Sequence, residues 1–227
     1  MAKGGKGGIG NMTTKSNTGT DPGDEGQQFE YELKLRMIAD VGFIGFPNAG
    51  KSTLLSAITR AFPKIAPYPF TTLRPYVGLA KFVDGSRVVL ADLPGIIKGA
   101  HENKGLGHKF LQHAERTAML LLVIDGTVED KGRSPILDYK TLVNELKMYK
   151  DGILLEKPAM IALNKMDRKY TDYQEKYEAL KDVLLPNHVI VPISAKEGTN
   201  LELLLELVKE TVDEEKQPEN EAGNYNF

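Results

Sequence analysis

Gly45, Phe46, Pro47, Asn48, Ala49, Gly50, Lys51, Ser52 and Thr53 spell G-x-x-x-x-G-K-[ST]. The apolar run VGFIGF leads into them and the helical run STLLSAITRAF leads out, the setting in which this pattern carries meaning. Such glycines let the backbone curl so that successive N–H groups face phosphate oxygens, and the helix that follows adds its positive end. Lys51 can then reach the β- and γ-phosphates. The Ser52 hydroxyl can take one position on an octahedral magnesium ion.

Further residues extend this chemistry. Asp92, at the start of DLPG and 40 positions beyond Ser52, closes an apolar run and is placed to hold magnesium through water. Leu93 and Pro94 follow it, and Gly95 can offer a backbone N–H to the γ-phosphate. Between them YPFTTL brings hydroxyls on a loop that can close over the metal. In LNKMD, Asp167 can accept two hydrogen bonds from the N1–H and exocyclic amine of guanine, a donor pair adenine lacks on that edge. A buried carboxylate left unpaired is costly, so one residue can discriminate strongly. Asn164 supports base and loop, the Lys165 stem covers the ring, and Met166 separates it from the carboxylate. ISAKEG adds Ser194, Ala195 and Lys196, with the Ala195 N–H directed to guanine O6. These motifs stand in order at strand ends, where an open α/β sheet binds ligands.

The elements that must position these groups are legible in the hydrophobic pattern. YVGLAKFV and RVVLAD flank DGS and read as two strands joined by a hairpin. Phe110, Leu111 and Ala114 have helical spacing ahead of the strand MLLLVID. A helix over 136–149, the strand AMIALN, a helix over 173–184, the strand HVIVPIS and a helix over 201–212 complete the alternation. The reading is a P-loop α/β domain: a mostly parallel six-stranded sheet with one antiparallel strand and helices on both faces. Phe29, Tyr31, Leu33, Leu35 and Met37 alternate as a lead-in strand. Ahead of it, residues 1–26 hold eight glycines and almost nothing apolar, the composition of a flexible run. The expected organisation is therefore a glycine-rich segment with the lead-in strand over 1–36, the nucleotide domain over 37–212, and an acidic disordered tail over 213–227.

Composition narrows the class. No apolar run approaches the roughly 18 residues a bilayer span needs, so no membrane span is expected. There are no cysteines, which excludes disulfides and thiolate metal sites. The opening MAKGGKGGIG has neither the apolar core of a secretory signal nor the Arg-rich pattern of a transit peptide. Residues 51–120 carry 10 Lys and Arg against 4 Asp and Glu, a local basic excess suited to the phosphates of a nucleotide or of RNA.

GFPNAGKST, YPFTTL, DLPG, NKMD and SAK resemble the guanine-nucleotide motifs of translation-factor-type GTPases. The longer strings LKLRMIADVGFIGFPNAGKSTLLSAIT, PKIAPYPFTTLRPYVG and DLPGIIKGAHENKGLGHKFLQHAERT are similar to the Obg family in particular, over about residues 27–212. GGKGGIGN resembles part of the family's amino-terminal domain, whose glycine-rich runs pack as left-handed, polyproline-like helices; the segment here matches only its last portion. AHENKGLGHKFL and the acidic tail look closest to eukaryotic mitochondrial Obg-like proteins. The resemblance implies GTP and GDP as ligands, magnesium held by Ser52 and Thr72 with Asp92, and Thr71 as the neighbour of the metal ligand. It implies a first switch over Phe70, Thr71, Thr72, Leu73 and Arg74 and a second opening at Asp92, Leu93, Pro94 and Gly95. It also implies a monomer working on the large ribosomal subunit or its rRNA, in the mitochondrial matrix, with the nucleolus or a bacterial cytoplasm as alternatives. His101 and His108, in the second switch region, read as ordinary surface histidines.

Hydrolysis of GTP needs an in-line water and neutralisation of charge on the β and γ oxygens. Lys51, Thr72, Gly95 and Asn48 are the residues expected to contribute. Ile96 stands where Ras-like enzymes place a water-orienting Gln, so the expected turnover is slow, well below the roughly 1 per second of assisted GTPases. Asn48 resembles a potassium ligand of related GTPases, or it simply stabilises the loop through its amide. The expected role is a switch in assembly of the large ribosomal subunit; the alternative is a guanine-nucleotide sensor acting on a protein effector. A P-loop kinase is disfavoured by NKMD, and a catalytically silent scaffold is a further possibility.

Overall fold

The computed structural model describes residues 2–8, 23–30, 39–59, 64–65, 75–93, 106–128, 133–168 and 173–222; for 64–65, 106–110, 173 and 217–222 it describes the backbone. The chain divides into two compact units, Met1–Leu35 and Arg36–Phe227.

In the second unit, β1 (Ala39–Ile44) runs into the phosphate-loop pattern and α1 (Lys51–Ile58). β2 (Lys64–Ile65), β3 (Tyr76–Lys81) and β4 (Arg87–Asp92) follow, then α2 (Leu106–Glu115) and β5 (Thr117–Asp125). α3 (Pro135–Met148), β6 (Ala159–Asn164), α4 (Tyr173–Lys181), β7 (His188–Pro192) and α5 (Leu201–Ala222) complete the unit. The sheet has seven strands in the order β2-β3-β4-β1-β5-β6-β7. β1, β4, β5, β6 and β7 are mutually parallel, and β3 is antiparallel to both β4 and β2. The P-loop α/β fold read from the sequence is the fold observed. The strand beyond the expected six is β2, two residues long at the sheet edge, too short to leave an alternation signal.

Helices cover both faces. Leu120, Leu122 and Ile124 of β5 join Leu111 of α2, Tyr139, Leu142 and Leu146 of α3 and Leu180 of α4 in one core. The alternate residues Met119, Leu121 and Val123 join Leu54 and Leu55 of α1 and Leu204, Val208 and Val212 of α5 in the other. A strand buried on both sides must be apolar at every position, which explains the unbroken run MLLLVI. α3 starts where its residues direct: Ser134 Oγ accepts from the Leu137 N–H at 3.2 Å and Pro135 occupies the first turn. Among the described residues no helix is long and apolar enough to cross a membrane.

Two sequence expectations are corrected. The acidic stretch from 213, read as a disordered tail, continues α5 through Ala222. Val212 is fully buried, and Lys216 Nζ, one turn on, pairs with Asp40 Oδ1 at 2.8 Å, so the helix remains tied to the domain beyond the expected end. The lead-in strand expected from Phe29 is absent from the described residues 27–30, where Phe29 is exposed; its other members lie outside the described residues.

In the first unit two glycine-rich runs pair instead of standing alone. The Asp24 N–H donates to Lys6 O and the Gln27 N–H to Lys3 O, each at 2.9 Å. The spacing of three on both runs is that of a polyproline-type helix, three residues per turn. The runs approach so closely that a Cβ on Gly5 would lie 1.8 Å from Asp24 O, so only glycine fits there.

Candidate functional site

The sheet sets the site. β1 is central, β4 lies on one side and β5 on the other, so the chain switches direction at its carboxyl end, where such sheets hold ligands. Gly50 ends the loop in the left-handed region, φ +98°, and a Cβ there would sit 2.3 Å from Asn164 Nδ2. Asn48 is also left-handed, φ +63°, and exposed. No side chain caps α1, so its first N–H groups remain available toward the loop.

Lys51 Nζ donates to Gly45 O at 3.1 Å and Phe46 O at 3.2 Å, which lays the ammonium across the loop. Burial pushes the Lys51 ammonium below its ordinary pKa, against the pull of the Asp92 carboxylate. Asp92 lies opposite Phe43 in the parallel register, and that alignment brings it beside the first turn of α1. Ser52 Oγ donates to Asp92 Oδ2 at 2.5 Å. Burial raises the Asp92 pKa; the Ser52 hydrogen bond and the Lys51 charge oppose the rise. Among the described residues, Asp92 Oδ1 is the buried side-chain oxygen left without a hydrogen-bond partner. A hydroxyl and a desolvated carboxylate with a spare oxygen are the hard donors a magnesium ion takes, so these residues fit the expected metal.

The base-reading motifs meet at the neighbouring strand ends. Asn164, buried at the end of β6, donates from Nδ2 to Ala49 O at 2.9 Å and accepts at Oδ1 from the Ala195 N–H at 3.0 Å. One amide thus joins the phosphate loop to the segment after β7. The Ala195 N–H, expected to meet guanine O6, donates to Asn164 Oδ1 in this structure, so the buried amide satisfies both its ends. Ser194 Oγ donates to Asp167 Oδ1 at 2.8 Å and accepts from the Glu197 N–H at 3.0 Å, orienting the carboxylate expected to read guanine. The Met166 N–H donates to Ile193 O at 3.1 Å, closing the same pair of loops. Lys196 is exposed.

Asp125, Thr127 and Arg133 were not singled out in the sequence. Lys165 Nζ pairs with Asp125 Oδ2 at 2.6 Å, and Asp125 Oδ1 accepts from the Thr127 N–H at 2.9 Å and Thr127 Oγ1 at 2.7 Å. Burial alone would raise the Asp125 pKa, but the bonds from Lys165 and Thr127 outweigh it and hold the carboxyl below its ordinary value. The available signal was the acid that ends the apolar run MLLLVID level with Asn164. The Arg133 guanidinium stacks over the Phe46 ring at 5.0 Å while bonding both oxygens of Asp138. Phe70, Thr71, Thr72, Leu73, Arg74, Pro94, Gly95, Ile96 and His101 lie outside the described residues, and the His108 side chain does too. A cavity of about 470 Å³ lies at the opposite, amino-terminal end of β5, lined by Arg116, Thr117, Lys157 and Pro158 among others, away from every motif above.

Residues 40–165 match the family described as 50S ribosome-binding GTPase. The chain belongs to that family. Within the match lie the phosphate loop, Asp92, Asp125, Asn164 and Lys165. The family member GTPase Obg of Alkaliphilus oremlandii is 45% identical over 220 residues, which is 94% of this chain and 50% of that protein. The chain spans about half the length of the curated Obg relatives it matches. Among solved structures, a single-residue variant of Aquifex aeolicus Era bound to GDP.AlF4- is similar with a TM-score of 0.54 and 28% identity, covering 74% of this chain and 55% of that one. Era in complex with MgGDPNP and nucleotides 1506–1542 of 16S ribosomal RNA gives 0.55 and 26%, covering 75% and 56%.

Proposed function

We propose that this chain binds GTP with magnesium, hydrolyses it slowly to GDP and phosphate, and uses the difference as a switch in assembly of the large ribosomal subunit. The observation that carries the reading is the Asn164 amide: it fixes the Ser194-Asp167 base-reading pair to the loop that cradles phosphates. Recognition of the base and recognition of the phosphates thereby become one rigid unit.

Ser52 and Asp92, with Thr72 from the first switch, would hold magnesium, which when bound neutralises charge on the β and γ oxygens. Lys51 supplies fixed positive charge beside them. The backbone N–H groups of the loop and α1 orient the phosphates without reorganising. Ile96 gives no group to orient water, which supports slow turnover by the isolated chain. Thr72 and Gly95 would hold both switches only while the γ-phosphate is present, so hydrolysis releases them.

The ribosomal role is supported by the family description, by rRNA in the Era complex, and by the basic excess of residues 51–120. The likeness of AHENKGLGHKFL to eukaryotic Obg-like proteins supports a mitochondrial particle. Gradient co-sedimentation of the chain with ribosomal subunits, with a non-hydrolysable GTP analogue, GDP or no nucleotide, tests the role. Binding with the analogue alone is expected; equal binding in all states, or none with GTP affinity intact, contradicts it.

A further inference from the structure

Lys165 is a half-buried loop lysine held at both ends. Its backbone is left-handed, φ +70°, a conformation that costs a residue with a Cβ free energy unless its surroundings impose it. The turn that imposes it runs from Lys165 to Arg168: the Arg168 N–H donates to Lys165 O at 3.0 Å, and the Met166 N–H donates to Ile193 O. These bonds fix where the side chain starts. They leave its four-carbon stem free, and such a stem carries considerable rotamer entropy.

The far end is fixed from the next strand. Asp125 and Asn164 are register partners at the ends of β5 and β6, and the Gly126 N–H donates to Asn164 O at 2.9 Å. The Asp125 side chain is largely covered, and its Oδ1 is locked by two bonds from Thr127, which leaves Oδ2 aimed at Lys165 Nζ. An ammonium clamped at one end by a strained turn and at the other by an immobilised carboxylate has its methylenes set in one path. That path starts two residues from Asp167.

We infer that Asp125, oriented by Thr127, is a positioning residue for guanine recognition, pinning Lys165 so that its stem forms a preformed wall for the face of the purine ring. This rests on the proposed guanine site and adds a residue to it. The wall contacts the ring face, whereas Asp167 reads the ring edge. Asp125 therefore contributes to affinity for any purine with the keto edge, GDP and IDP alike, and its contribution vanishes when Lys165 has no ammonium to hold.

The test uses the full chain with fluorescent-nucleotide binding and calorimetry. Asp125→Asn preserves shape and should weaken GDP, GTP and IDP by a common factor of about ten, the scale of one charge-assisted hydrogen bond. KM for GTP should rise by a similar factor while kcat moves less than about threefold. In a Lys165→Met background, which keeps the stem and removes the charge, Asp125→Asn should add less than about a twofold further loss. Wild-type affinity in Asp125→Asn, or an undiminished loss in the Lys165→Met background, overturns the inference. Asp167→Asn is measured alongside: it should penalise GDP far more than IDP. Unchanged GDP affinity there overturns the guanine site itself and this inference with it.

Discussion

Ser52 Oγ and Asp92 Oδ2 are joined by a 2.5 Å hydrogen bond across 40 positions of sequence. The parallel register of β1 with β4 creates this contact by bringing Asp92 level with Phe43. It leaves Asp92 Oδ1 buried without a partner among the described residues, an arrangement unfavourable for folding and favourable for a cation.

Asp92 should therefore destabilise the metal-free chain in a pH-dependent way. Its folded pKa is raised by burial, so its contribution is fully favourable below the ordinary carboxylate value and is lost as pH rises through the folded value. With nucleotide absent and a chelator present, Asp92→Asn should melt higher than wild type at about pH 7 by roughly 2–10 °C, from about 1–3 kcal/mol for the unsatisfied group. The difference should shrink as pH falls through the raised folded value and vanish below the ordinary carboxylate range. With magnesium and GTP the order should reverse, with roughly a tenfold or greater loss of GTP affinity in the variant. An equal melting difference at all pH values would refute the assignment.

Asn164→Ala removes two buried bonds at once and strands the Ala49 carbonyl and the Ala195 N–H. The expected cost is about 2–4 kcal/mol, or roughly 5–15 °C in Tm, in addition to weaker GDP binding. A variant that loses only nucleotide affinity, with wild-type Tm, would show that the amide does not hold the two loops together.

Continuation of α5 past Val212 should be measurable as stability. Lys216→Met leaves the largely covered Asp40 carboxylate, among the described residues, with the Val89 N–H as its remaining partner, so a loss of about 1 kcal/mol, or roughly 2–4 °C, is expected. High salt should narrow the gap between variant and wild type. No change in Tm would mean the ion pair contributes nothing to holding the end of α5.

Asn48 offers the test of potassium dependence. It is left-handed and exposed within the loop. We expect GTP turnover in potassium chloride to exceed that in sodium chloride by about fivefold or more, and Asn48→Ala to erase the difference. Equal rates in the two salts remove potassium from the account.

Much of the site was legible because phosphate and base chemistry demand fixed residue types at strand ends. The bounds of β6 and the hairpin of β3 and β4 followed from apolar runs and the DGS turn. β2 was not legible, since two residues carry no period. The end of α5 was missed because an acidic, polar composition read as solvated chain, while one long-range ion pair from Lys216 holds the next turn. Asp125 was missed for a related reason: in sequence it is the last letter of a buried strand, and only the register with Asn164 reveals that it faces Lys165. Pairings made across strands are set by register, which hydrophobic pattern constrains and does not name.

The proposed function rests on selection of guanine nucleotides through Asp167, oriented by Ser194 at 2.8 Å. The most direct test is equilibrium binding of GDP and xanthosine diphosphate to wild type and to Asp167→Asn with magnesium present. Xanthine replaces the exocyclic amine donor of guanine by an acceptor, which matches an amide and repels a carboxylate. Asp167→Asn should lose at least about a hundredfold in GDP affinity with a reciprocal gain for xanthosine diphosphate, the scale expected when a base-reading group is mismatched. Wild-type GDP affinity in Asp167→Asn, with no gain for xanthosine diphosphate, would contradict it.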